Sequence, residues 1–339
     1  MPSQADLLSA TLDALPWAVD AGVLFDPILK GGSDRSYYRL RFPGHLDPPS
    51  AILMHYTDQR PDNRRFLAAT RTLLALGVSV PQIYAADTSA HLIWLEDLGE
   101  ADLHSHGHLP WPSRRPLYLD TLKQAARFHS VPETSLSSTE LRQMELRFDA
   151  ELYRWEQDYF AAHCLGQLCG LKPQELESFR ASQGLAMLRD QLAQQPRHLV
   201  HRDLQSENVL VRDGKAFLID YQGLRPGLPE YDLASLVFDA YCHLPEDGRE
   251  ELIVAHALAR QIDPLCPDFR RRFHYCAAQR LMQALGAFAN LALNLDKPCY
   301  LDHVGPAAAH LQLVASSCSD LGFLLPFADL VAAAQPHAS

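Results

Sequence analysis

The sequence predicts a two-lobed α+β protein, with a small β-rich lobe followed by a larger, mainly helical one. Short apolar runs broken by glycine and polar turns fill the first hundred residues, the pattern of a sheet. From about residue 115, apolar residues recur with helical period over long segments. A chain of 339 residues is also long enough for two lobes, expected at residues 1–98 and 99–339.

Taken in order, residues 4–15 read as a helix, with Leu7, Leu8, Leu12 and Leu15 clustered by period. An apolar piece, VLFDPIL, then leads into Gly31-Gly32-Ser33-Asp34, and Tyr37, Tyr38, Leu40 and Phe42 support a strand. Such a hairpin-like turn with flexible glycines suits a loop that covers a nucleotide. AILMHY at 51–56 is the next strand, residues 62–76 form a helix ending at Gly77, and VPQIYAAD leads to the strand and turn HLIWLEDLG. The lobe boundary falls near residues 96–100. Helices are expected at 115–130, 138–164 and 172–194, and short strands then bracket Asp203 to Asp220. Helices dominate the remainder, leaving an interlobe cleft as the place for ligands.

Composition narrows the function classes. Apolar content of 47% and a charged fraction of 21% describe an ordinary globular protein. The net charge of -11 argues against nucleic acid as a partner, although it permits a nucleotide whose phosphates are neutralised locally. The runs RRF at 64–66 and RRR at 270–272 are too short to reverse this, and read as solvated faces or salt-bridge partners. The first residues lack a basic stretch followed by an apolar run, and no apolar segment reaches transmembrane length, so a cytoplasmic protein without a membrane partner is expected. The spacing of the seven cysteines suggests neither a disulfide framework nor a zinc site. A monomer is expected.

The chemistry is concentrated between His198 and Asp239, in HLVHRDLQSENVL, FLIDYQG and EYDLASLVFD. Asp203, Asn208 and Asp220 have the spacing that a kinase-type phosphoryl-transfer centre requires. A loop aspartate, Asp203, can accept the proton of an acceptor hydroxyl. Asn208 and Asp220 offer hard oxygen ligands to Mg2+, the latter at the end of the apolar run Ala216-Phe217-Leu218-Ile219. Asp203 needs no raised pKa, because a loose transition state depends on alignment and charge stabilisation. Each residue alone could cap a helix or form a surface pair; their joint spacing argues for a site. His201 is expected to organise the loop through a backbone or aspartate contact, and Asp232 to cap the helix LASLVF or tie the loop. Gln205 and Asp239 are candidate substrate contacts, weighed against an exposed loop amide and an ordinary structural role. Trp94, Trp111 and Trp155 could stack on ligands, with core packing the simpler reading.

HRDLQSENVL, IDYQG and YDLASL resemble the aminoglycoside phosphotransferase and choline kinase superfamily, whose members have a protein-kinase-like bilobal fold. GGSDRSYYRLRF looks like its glycine-containing nucleotide loop and LIWLEDLG like the strand and hinge that receive adenine, so the resemblance spans most of residues 20–245. In detail, GSDRSYYRL, AILMHY, VPQIYAAD, LEDLG and AAQRLMQALGAFANLAL look like the bacterial cell-wall amino-sugar kinases. Those enzymes phosphorylate the anomeric hydroxyl of N-acetylmuramate or N-acetylglucosamine. The resemblance implies ATP bound near Gly31, Gly32, Ser33, Asp34, Arg35 and Ser36 and at the hinge residues Leu95, Glu96 and Leu98. It also implies that Asp203 faces the sugar C1 hydroxyl, that Asn208 and Asp220 bind Mg2+, and that a sugar 1-phosphate is made in cell-wall recycling. Gln279 and Arg280, on the distant apolar helix, are candidate contacts to the sugar or the loop, with a buried structural salt bridge an equal alternative.

One departure from the broad kinase pattern is conspicuous. Met54 stands where a phosphate-binding lysine is expected, and the helix at 62–76 lacks the glutamate that would pair with it. The amino-sugar kinase group is similar in this respect. Arg35, Arg39 or Arg64 could supply the missing charge, although a solvated arginine is the default for each. An aminoglycoside or other small-alcohol phosphotransferase, and a nucleotide-binding regulatory pseudokinase, are the alternative functions.

Overall fold

The structure, a computed structural model, describes residues 3–19, 22–28, 35–45 and 47–334. The expected nucleotide-loop residues Gly31, Gly32, Ser33 and Asp34 lie outside them. Helix α1 (Gln4–Ala14) starts at a capping box in which Ser3 and Asp6 satisfy each other's backbone N–H groups. Five strands follow: β1 (Leu24–Ile28), β2 (Ser36–Arg41), β3 (Ser50–His55), β4 (Ile83–Asp87) and β5 (Leu92–Glu96). They form one antiparallel sheet in the order β1-β2-β3-β5-β4.

Strand alternation sorts the sheet residues into two cores. Ala51, Leu53, Leu92 and Trp94 pack towards α1, whereas Met54, Ile93 and Leu95 join the larger core that continues into the helical part. The Trp94 indole donates to Thr11 Oγ1 at 3.1 Å, which places this tryptophan in the core as the simpler reading had it. Helix α2 (Phe66–Ala75) covers the second face and follows a 3-10 turn at Pro61–Arg65. Gly77 ends it in the left-handed region at φ 74°, a conformation that glycine adopts without Cβ strain.

The helical part begins with α3 (Trp111–His129), which starts earlier than periodicity suggested because Pro112 is tolerated in a first turn. The expected helix at 138–164 is interrupted. It consists of α4 (Ser138–Arg142), a non-helical link, and α5 (Ala150–Tyr159), which widens into π-helix over Phe160–Leu168. Ser137 and Asp149 each cap a fresh N-terminus, a local signal stronger than the apolar period across the link. The segment at 172–194 is likewise split into α6 (Pro173–Arg180) and α7 (Gln183–Ala193), the second capped by Ser182.

Two small ribbons then carry the site. Strand β6 (His198–Val200) pairs with β9 (Arg225–Gly227), and β7 (Val209–Arg212) pairs with β8 (Lys215–Leu218). Behind them lie α8 (Pro229–Val237), α9 (Glu246–Ala259), the long α10 (Pro267–Asn294), α11 (Val304–Ser317) and α12 (Leu325–Ala333). No helix among the described residues is long and apolar enough to cross a membrane. The arginine runs are paired with carboxylates: Arg64 with Asp58, Arg65 with Glu145, Arg270 with Glu250, Arg271 with Asp268 and Arg272 with Glu230.

Glu230, buried in the first turn of α8, accepts from Arg260 at 3.0 Å and from Arg272 at 2.8 Å, and so ties three helices together. Burial opposes its charge, but Arg272 and then Arg260 outweigh that penalty and lower its pKa to about 2. Because the folded value lies below the unfolded one, this stabilisation is present above pH ~4.5 and is lost as pH falls towards 2. Its size is about 3 kcal/mol. Glu230→Gln should therefore flatten the decline of the urea midpoint between pH 5 and pH 3 relative to the parent chain.

Candidate active site

One buried carboxylate organises the loop after β6. Asp232, on α8, accepts the backbone N–H of His201 at 2.7 Å and that of Arg202 at 2.8 Å. His129, at the end of α3, completes the set with Nε2 at 2.9 Å from Asp232. Burial drives the His129 pKa well below its usual value, so the imidazole is neutral and Nε2–H donates. Burial also pushes Asp232 up to about 6, against the pull of His201 and the two backbone donors. His201 reaches the Ile219 carbonyl through Nε2 at 2.9 Å, joining the loop to the end of β8. These contacts match the loop-organising roles expected of His201 and Asp232. They hold Arg202 at φ 82°, a conformation that L-residues rarely adopt.

The turn at Arg202 delivers Asp203 to the cleft, where its side chain is 30% exposed. Arg202 lies 3.6 Å from one Asp203 oxygen and Arg280 lies 3.5 Å from the other. Burial works against the charge, but Arg202, Arg280, His201 and Arg225 together hold Asp203 below the usual carboxylate range. Asn208 donates through Nδ2 to the Asp203 carbonyl at 2.9 Å, and its own carbonyl accepts from Ile219 N–H at 3.0 Å. Asp220 follows in the left-handed region at φ 60°, which a short polar side chain tolerates. Its Oδ1 accepts from Gln222 at 3.0 Å and from Arg35 at 3.0 Å, and its side chain remains 39% exposed.

These groups fit a divalent cation. Asp220 is a half-exposed carboxylate, and Asn208 has its amide nitrogen committed to the loop, which leaves Oδ1 as its ligand atom. The cleft around them encloses about 1470 Å³, more than a single small ligand occupies. Its lining includes Ile28, Ile52 and Leu95 from the sheet, Leu210 of β7 and Ile219 just after β8, apolar residues that would make a slot suited to a planar base. Glu96 and Leu98 also line it. The connection after β5 is pinned by Arg39 on Asp97 and by Arg212 on Glu96 at 2.5 Å, and Gly99 turns it at φ 84°.

Other expected residues are distributed unevenly. Arg280 and Gln205 line the cleft and bond each other at 3.1 Å, so Arg280 contacts the loop. Ser36 opens β2. Gln279 does not reach the cleft. It is fully buried, donating to the Tyr153 carbonyl and to Glu156 and accepting from Gln157, so no polar atom is left for a sugar. Asp239 also lies beneath the cleft. Its oxygens accept from Ser206 N–H at 2.7 Å and Tyr241 N–H at 2.9 Å, an ordinary structural role. None of Trp94, Trp111 and Trp155 lines the cleft.

Sequence reasoning missed an aromatic cluster in the cleft lining, formed by Tyr241, Phe288 and Tyr300. Part of it was detectable: Arg280, Gln283, Ala284, Ala287, Phe288 and Leu291 recur at helical spacing along one cleft-facing side of α10. Glu145, which lines the cleft with Arg65 and Arg225, carried no sequence signal because its link precedes α5 without a motif.

Residues 25–273 match the model of a phosphotransferase enzyme family, and the chain belongs to that family. An N-acetylmuramate/N-acetylglucosamine kinase of Pseudomonas putida is 25% identical over 298 residues, covering 86% of this chain and 84% of that protein. A kinase of the same name from Neisseria meningitidis serogroup B is 27% identical over 260 residues, covering 72% of this chain and 73% of the relative. Among solved structures, a choline kinase from Cryptosporidium parvum superposes with a TM-score of 0.62 at 13% identity, covering 97% of this chain and 99% of that one. The fold is thus kinase-like, as the loop motifs implied.

Removing the organising carboxylate tests the loop architecture. Asp232→Ala leaves the His201 and Arg202 amides and the His129 ring without their acceptor. A loss of about 3 kcal/mol is expected in urea unfolding.

Proposed function

We propose, with membership of the phosphotransferase family as the premise, that this chain is an ATP-dependent, Mg2+-assisted sugar 1-kinase. Its acceptor would be the anomeric hydroxyl of N-acetylmuramate, N-acetylglucosamine or both. The observation that carries the chemistry is the convergence of Asp203, Asn208 and Asp220 on one cleft. The substrate class is supported by the two kinases named above, each matched over most of its length.

In this reading the apolar slot receives adenine beside Leu95, Glu96 and Leu98. Asn208 and Asp220 would hold the metal, which would neutralise charge on the phosphate oxygens. Asp203 orients the acceptor hydroxyl and takes its proton on a carboxylate oxygen. A low pKa suits that task, since the transition state is loose and proton removal is late. Arg280 and Gln205 fix Asp203 from the acceptor side, and Tyr241, Phe288 and Tyr300 offer ring faces to the apolar side of a sugar.

The surroundings of Asp203 disfavour an aminoglycoside. The groups that lower the Asp203 pKa are Arg202, Arg280, His201 and Arg225, an immediate environment that suits a neutral or acidic acceptor better than a polycation. The complete acidic and amide set likewise favours turnover over a purely regulatory role.

The test is ATP-dependent phosphorylation of both amino sugars, with the product identified as an acid-labile, alkali-stable anomeric phosphate. Asp203→Ala should lower turnover by roughly 10²–10⁴-fold. Asn208→Ala and Asp220→Ala should raise the Mg2+ concentration needed for half-maximal rate. No turnover of any amino sugar by the unmodified chain would sink the substrate assignment.

A further inference from the structure

We propose that Arg35 supplies the phosphate-binding cation that is absent from β3, working from the neighbouring strand. This rests on the kinase reading and assigns a residue to its nucleotide site. Met54 is fully buried in the large core and offers no charge to the cleft. Arg35 immediately precedes β2 and donates to Asp220, one of the two groups assigned to the metal, at 3.0 Å.

Strand geometry explains how one position can replace the other. Tyr37 faces Met54 across the β2–β3 pair, so their side chains lie on the same side of the sheet. Arg35 lies two residues before Tyr37, just outside β2; continuing the alternation would put it on that side, ~7 Å further along, and both residues line the cleft. An arginine side chain spans such a distance, and its planar fork binds phosphate oxygens bidentately.

The other candidate cations have different engagements. Arg39 is bonded to Asp97 and Glu100 at the connection after β5. Arg64 is 67% exposed and paired with Asp58. Arg35, by contrast, is only 5% exposed and lines the cleft. In this structure its guanidinium is paired with Asp220. Were Asp220 to hold a metal, the guanidinium would turn to the phosphate oxygens, and neither buried charge would be left unpaired.

Calorimetric titration of an ATP analogue, with and without Mg2+, tests this alongside steady-state kinetics. Arg35→Ala should weaken binding of the Mg2+-analogue complex at least tenfold and raise KM for ATP, with the melting temperature nearly unchanged. Arg35→Lys should retain most of the affinity, and Arg35→Ala with Met54→Lys should recover at least part of what Arg35→Ala loses. Affinity and KM within twofold of the parent for Arg35→Ala would overturn the proposal while leaving the kinase reading intact. Failure of the parent chain itself to bind nucleotide would overturn both. If the double variant does not fold, Arg35→Lys against Arg35→Ala decides: equal losses in the two point to a structural contact and overturn the assignment.

Discussion

The geometry of the cleft depends on the burial of Asp232. Its two oxygens receive three hydrogen bonds, two from consecutive backbone N–H groups and one from His129. Consecutive N–H groups can point at one carboxylate only if the chain turns sharply, and the left-handed Arg202 is that turn. Such a backbone conformation costs about 1–3 kcal/mol, whereas each hydrogen bond to a charged group contributes about 1.5–3 kcal/mol. The bonds therefore win, and Asp203 is held at the cleft by an interaction on the opposite side of the backbone. His129 and Asp232 belong to α3 and α8, so the loop is referenced to the helical core rather than to its own neighbours.

Charge is distributed by the same logic. The chain is acidic overall, yet arginines from several elements line the cleft. They coexist because carboxylates lie among them: Asp220 with Arg35, Glu145 with Arg65 and Arg225, and Asp203 with Arg202 and Arg280. Each of these guanidinium groups thus already lies beside a carboxylate. Whole-chain charge could not have revealed this, since it averages over a surface far larger than the cleft.

Much of the fold and the centre of the site were legible in the sequence because they rest on short-range rules. Strands β2, β3 and β5 followed from apolar runs and turn residues, whereas β1 and β4 were read only as an apolar piece and a lead-in; Asp203, Asn208 and Asp220 followed from fixed offsets around two ribbons. Reading failed where a partner far along the chain decides the outcome. Gln279 and Arg280 are adjacent and looked equivalent, yet Gln279 is claimed by Tyr153, Gln157 and Glu156, while Arg280 reaches Gln205. For Asp239 the structural alternative holds, and the sequence could not name its partners because Ser206 and Tyr241 offer backbone atoms, which no side-chain motif records. The helix breaks at 143–149 and 181–182 were signalled by the caps Asp149 and Ser182 but masked by an apolar period that runs across them.

The separation of Gln279 from Arg280 has a physical origin in α10. Successive residues on a helix are turned by about 100°, so one rotation of α10 must aim Gln279 inwards and Arg280 at the cleft. Two contacts fix that rotation. Gln279 is locked by the buried network with Glu156 and Tyr153, and Tyr231 from α8 joins it by donating to Glu156 at 2.9 Å. Seven residues on, Gly286 faces the π-helical stretch so closely that a Cβ there would meet the Phe160 nitrogen at 3.0 Å and Cα at 3.1 Å. A turn of α10 in either direction would break the network or drive a side chain into that backbone. Since Arg280 lies 3.5 Å from Asp203, the buried face of α10 sets the charge environment of that carboxylate without touching it. The polar core and the cleft are therefore one mechanical unit, and Gln279 contributes to the site by aiming its neighbour.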